Sequence, residues 1–105
     1  MPLPDVLHEA LAAARFMIRR AHAIDVGVQT GNAKAILSNA QAFVAHGPEI
    51  SEAFEAARQQ IAAMEQARAL EGARTAALHA VDALEQSLLQ ARPNEQAKAL
   101  GIDWL

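Results

Sequence analysis

Four side chains that could bind anions share one side of the amino-terminal segment. If residues 4–24 are helical, His8, Arg15, Arg19 and His22 fall within about 60° of arc. Such a stripe offers a dock for an acidic protein surface or a phosphate. Phe16 projects away from the apolar side of the same segment, near Glu9 and Arg20, and is a candidate anchor for a protein contact. The phrase His-Ala-Ile-Asp at 22–25 recurs as His-Ala-Val-Asp at 79–82, with Gln29 and Gln86 four residues on. A His and an Asp three apart on a helix could give a metal two ligands. His79, however, points about 160° from the core stripe of its own helix, and the flanking residues do not match. The repeat is read as coincidence on exposed faces, and no metal is expected. Ser38, Ser51 and Ser87 have no nucleophile-elbow context, and a glycine-rich phosphate loop is missing. Glu52 and Glu55 point away from the apolar stripe of their helix and form a solvated face with Glu49. No catalytic residue or cofactor is assigned, and the expectation is a protein that is not an enzyme. The last chemistry-bearing group is Ile102-Asp-Trp-Leu105, where Trp104 and Leu105 either cover the fold or insert into a partner's groove.

The elements that must position these residues follow from apolar spacing. Leu7, Leu11, Ala14, Ile18 and Ala21 form the main stripe of a first helix over about 4–24, widened by Val6, Ala10, Met17 and Ile24. Residues 25–31 hold two glycines and two valines and read as loop, with Thr30 or Asn32 placed to cap a second helix over 32–46. Ala33, Ile36, Leu37, Ala40, Phe43 and Val44 make that helix's tight face. Gly47-Pro48 closes it and opens the next. Ile50, Phe54, Ala57, Ile61 and Met64 then form one stripe, and Ala77, Val81, Leu84 and Leu88 another. On one unbroken helix these two stripes would lie about 170° apart. A hairpin turning near Gly72 lets both face one core, giving helices over 48–71 and 74–91, with Thr75 as a candidate cap; the alternative is one continuous helix with each half packed on a different partner. A short helical turn at 94–100 precedes the tail.

Composition bounds the rest. The chain has 105 residues, a length suited to one domain spanning 1–105. Of its apolar residues 26 are alanine, which favours closely approaching helices over a thin core. A thin core is often completed by a second subunit, so a homodimer is expected. The net charge of −3 divides into +1 over residues 1–46 and −4 over 47–105, too mild for a nucleic-acid footprint. Zero cysteines remove disulfide and thiol chemistry. The amino terminus lacks the pattern of a secretory signal, no stretch has the apolar length of a membrane span, and a cytoplasmic location is the default.

Two partial resemblances offer alternatives. Ala23, Gly27, Val28 and Ile36 sit at the small, glycine and apolar positions of a segment that resembles the helix-turn-helix of bacterial regulators, which implies DNA binding through residues 20–40. Ala33 departs from the branched apolar residue usual there, and Lys34 alone would reach phosphates. Arg20-Ala-His-Ala-Ile24 is similar to the approach to the phospho-accepting histidine of the histidine phosphotransfer domain. That would make His22 the acceptor, but Asp25 stands where the family has a lysine. The sequence reads best as an all-α, four-helix up-and-down bundle or pair of helical hairpins. Its expected function is a non-catalytic protein–protein interaction module. Phe16, Arg15, Arg19, His22, Trp104 and Leu105 are its candidate contact residues.

Overall fold

A computed structural model describes residues 3–44 and 47–90. They form four helices, α1 (Asp5–Arg20), α2 (Val26–Gln41), α3 (Pro48–Ala63) and α4 (Leu70–Gln90), with one 3-10 turn at Met64–Gln66. Among the described residues there is no strand. The expected all-α four-helix bundle is therefore the fold.

Side-chain contacts fix how the helices run. Arg15 of α1 meets Asp82 and Glu85 of α4, while Arg74, nearer the start of α4, reaches the carbonyls at the end of α1. Those two helices are antiparallel. Thr30 near the start of α2 and Lys34 at its middle meet Glu65 just beyond α3, and Gln41 at the end of α2 meets Arg58 within α3, so that pair is antiparallel too. The helices follow one another around the bundle in chain order, up and down.

The stripes read from the sequence become the core. Leu7, Leu11, Ala14 and Ile18 from α1 are buried against Ala33 and Leu37 of α2, with Phe54, Ala57 and Ile61 of α3 and Ala77, Val81, Leu84 and Leu88 of α4. Alanine supplies seven of the nineteen buried apolar residues described, five of them on α1, on α2 or in the turn that joins them. These small side chains favour close packing of the two helices, and α2, with Leu37 its one large buried apolar side chain, contributes the least apolar area to the core.

Element boundaries differ from expectation at the end of α1, at both ends of α2 and at the turn between α3 and α4. Helix α1 stops at Arg20, because Ala21 is extended (φ −64°, ψ 132°), and the chain turns within residues 21–25. Helix α2 then starts at Val26, six residues early, and absorbs both glycines of the expected loop. Thr30 is consequently no cap: it is buried within α2, where its hydroxyl lies 2.8 Å from the Val26 carbonyl. The α3–α4 hairpin is formed, but it turns at residues 64–69, where Ala67 is extended (ψ 134°), and Gly72 belongs to the first turn of α4. Nothing in Met-Glu-Gln-Ala-Arg-Ala disfavours helix locally. The break falls there because Met64 is the last residue of the α3 stripe and the chain must cross before the α4 stripe begins. Thr75 lies inside α4 and bonds the Glu71 carbonyl at 3.0 Å instead of capping. Residues 94–105, with the expected helical turn, Trp104 and Leu105, lie outside the described residues.

Candidate functional site

Polar residues on the two flanks of the bundle bind one hairpin to the other. On the α1–α4 flank, the Arg15 guanidinium donates to Asp82 Oδ1 from Nε (3.1 Å) and Nη2 (2.8 Å), and to Glu85 Oε1 at 2.7 Å. Burial works against its charge, but the bonds to the two carboxylates outweigh that and raise its pKa. Arg74 donates to the carbonyls of Ile18 and Arg19, each at 2.7 Å, and of Ala21 at 2.8 Å, while pairing with Glu71 at 3.2 Å. It thereby caps the carboxy-terminal end of α1, where orphaned carbonyls and the helix dipole both favour a cation. On the α2–α3 flank, Thr30 Oγ1 lies 2.5 Å from Glu65 Oε1, and Lys34 Nζ lies 3.2 Å from the same oxygen. The Thr30 bond first, and Lys34 second, hold the Glu65 carboxyl below its ordinary pKa. Arg58 spans from Glu55 to Gln41 Oε1 at 2.6 Å.

The sequence-derived site residues divide under this geometry. Arg15 is committed to α4, with its side chain 17% exposed, so the basic stripe does not act as one outward surface. His8, Arg19 and His22 are exposed. Phe16 is 56% exposed, and the Arg20 guanidinium stacks 5.0 Å from its ring centre. Asp25 accepts from the His22 amide at 2.7 Å and from Gln29 at 3.3 Å. These bonds, the His22 amide foremost, lower its pKa and make it a brace of the α1–α2 turn. Among the described residues no group of three or more His, Cys, Asp or Glu converges as a metal site would require. The helix-turn-helix register needs its glycine in the turn, yet Ala23 lies in the turn and Gly27 in α2, and Lys34 is paired with Glu65. His22 lies in the turn beyond α1.

What the structure brings together instead is apolar. Six large hydrophobic side chains are exposed among the described residues, and five of them, Val6, Phe16, Ile24, Val28 and Phe43, lie along the α1–α2 hairpin or at its ends. Phe43, expected in the core of the second helix, is 68% exposed, because α2 ends at Gln41 and the chain turns there. Ile24, expected to widen the α1 stripe, is fully exposed in the turn. Between α1 and α2 runs a shallow groove of about 290 Å³, lined by Val6, Ala10 and Ala13 on one side and Ile36, Asn39 and Phe43 on the other, with Glu9 and Ala40 completing it. One sequence signal marks this face: α2 carries a single charged residue in sixteen, Lys34, and that one is turned towards α3. By contrast, the exposed positions of α3 and α4 carry Glu52, Glu55, Gln59, Gln60, His79, Asp82 and Gln86. No described helix is long and apolar enough to cross a membrane. Neither a family model, nor a curated protein, nor a solved structure matches this chain.

Proposed function

We propose that the chain is a non-catalytic helical interaction module, an adaptor, small chaperone or regulatory partner of the cytoplasm, that acts by burying the α1–α2 face against protein. The observation that carries this reading is the concentration of exposed Val6, Phe16, Val28 and Phe43 on one hairpin, while the opposite hairpin exposes mainly polar groups and, of large apolar side chains described, Leu89 alone. Phe16 and Phe43 serve as anchors, and Arg19 and His22, at the edge of the face, steer an acidic partner. Apolar burial of this kind tolerates salt, whereas a DNA-binding surface loses affinity steeply as salt rises. The test is photocrosslinking in the native host, with the reactive group placed at Phe16 or Phe43 and, as control, at His79. Protein adducts from the first two positions and none from the third are expected. Adducts to nucleic acid, or equal labelling from all three, would overturn the reading.

A further inference from the structure

Resting on that reading, the geometry points to the partner: we infer that the α1–α2 face pairs with the same face of a second copy of this chain, about a twofold axis that sets α1 antiparallel to its counterpart.

The residues that face out of this surface recur along α1 at Glu9, Ala13, Phe16 and Arg20, within about 60° of arc on the side away from α4. Along α2 the matching row is Val28, Asn32, Ala35 and Asn39, with Phe43 in the turn just beyond it, all exposed. The only charges in the two rows are Glu9 and Arg20, which stand at opposite ends of the α1 row. A face whose centre lacks charge and whose two charges are opposite and symmetrically placed is complementary to itself.

The register can be worked out. A twofold axis level with residues 14–15 and perpendicular to α1 sets Glu9 against the partner's Arg20. The same operation sets Phe16, the largest side chain of the row, against the partner's Ala13, the smallest. The groove fixes where this axis crosses α2. Val6, Ala10 and Ala13 line it opposite Phe43, Asn39 and Ile36 in antiparallel order, so residues 14–15 of α1 lie level with 34–35 of α2. An axis at that level sets Val28 near the partner's Phe43 and Asn32 near the partner's Asn39, joining apolar to apolar and amide to amide. Two independent rows thus agree on one axis within about a residue, or roughly 1.5 Å of rise.

The size is adequate. Two sixteen-residue helices side by side present a footprint of about 24 by 20 Å. That is about 480 Å² per partner before side-chain relief, the small end of the range for specific interfaces.

The test is charge reversal read by sedimentation equilibrium, with helical circular dichroism confirming the fold of each variant. Native protein should show twice its 11.2 kDa chain mass. Glu9→Arg and Arg20→Glu should each raise the dimer dissociation constant at least about tenfold, and the double variant should recover most of that loss. The native chain has no cysteine, so Ala35→Cys should crosslink to itself through a short bis-maleimide, and His79→Cys should not. A monomer at about 100 µM would overturn the inference. A dimer indifferent to both reversals, or crosslinked equally through His79→Cys, would overturn it as well. In either case host photocrosslinking through Phe16 and Phe43 still decides separately whether the face binds protein.

Discussion

Arg74 holds three carbonyls of a helix 53 to 56 residues earlier in the chain, and Arg15 holds two carboxylates 67 and 70 residues later. Partners so distant leave no mark in local sequence. For this reason Arg15 reads as part of a basic surface until the fold supplies Asp82 and Glu85. Glu65 is a similar case, unmarked in the sequence pattern yet bonded by the buried hydroxyl of Thr30. Thr30 has one hydrogen to give and three acceptors in reach, the Val26 and Gly27 carbonyls and this carboxylate, of which the carboxylate is nearest. A carboxyl whose pKa is lowered by folding stabilises the native state above the ordinary glutamate range, near about 4.3, and loses that contribution as pH falls through the lowered value. Glu65→Gln should therefore lower the urea midpoint at neutral pH, and the gap from native protein should close as pH falls below the ordinary glutamate range and through the lowered value. Other carboxyls titrate over the same range, so the difference between the two curves is the quantity to follow. A gap that persists undiminished in acid would mean that the Glu65 charge is not what the pairing stabilises.

At the scale of elements, periodicity was the reliable guide; punctuation held where Gly47-Pro48 opens α3 but not at the isolated glycines. The stripes through Leu7–Ile18, Ile50–Met64 and Ala77–Leu88 are buried as their spacing demands, because burial pattern and core are one fact seen twice. Gly72 and the Gly27–Gly31 pair misled for a common reason. Glycine lowers helix propensity by about 1 kcal/mol, which tertiary contacts readily override. Helix α2 is held through its first turns by Thr30 and Lys34 on Glu65 and by buried Ala33 and Leu37. Phe43 was misplaced because it continues the α2 spacing beyond the point where the helix ends. Only the low charge of α2 announced an apolar outer face. Gly31 lies within this helix, and a Cβ added there would meet nothing within 4 Å. Gly31→Ala should accordingly raise stability by about 0.5–1 kcal/mol, visible as a higher thermal midpoint. A fall instead would show that the open space beside Gly31 is needed by a neighbouring chain.

The whole molecule is two hairpins of unlike character, joined along both flanks by charged and hydrogen-bonded side chains. The α3–α4 hairpin brings Phe54, Ile61, Met64, Leu84 and Leu88 to the core and turns polar groups outward. The α1–α2 hairpin buries five alanines and leaves the larger side chains Phe16, Val28 and Phe43 outside. Apolar area that one chain does not bury becomes available to an interface, and the stability of such a chain then depends on its concentration. If two folded copies associate and unfolded ones do not, each tenfold rise in protein adds about 0.7 kcal/mol per chain once dimer predominates. For a chain near this size that corresponds to about 3–5 °C in thermal midpoint. Native protein should show this slope between about 1 and 100 µM. Phe16→Glu should flatten it while leaving the helical signal intact, since Phe16 is exposed and its removal opens no cavity in the core. A midpoint independent of concentration in the native protein would mean that one copy already has all the stability it can reach, and that the alanine-packed hairpin faces something other than itself.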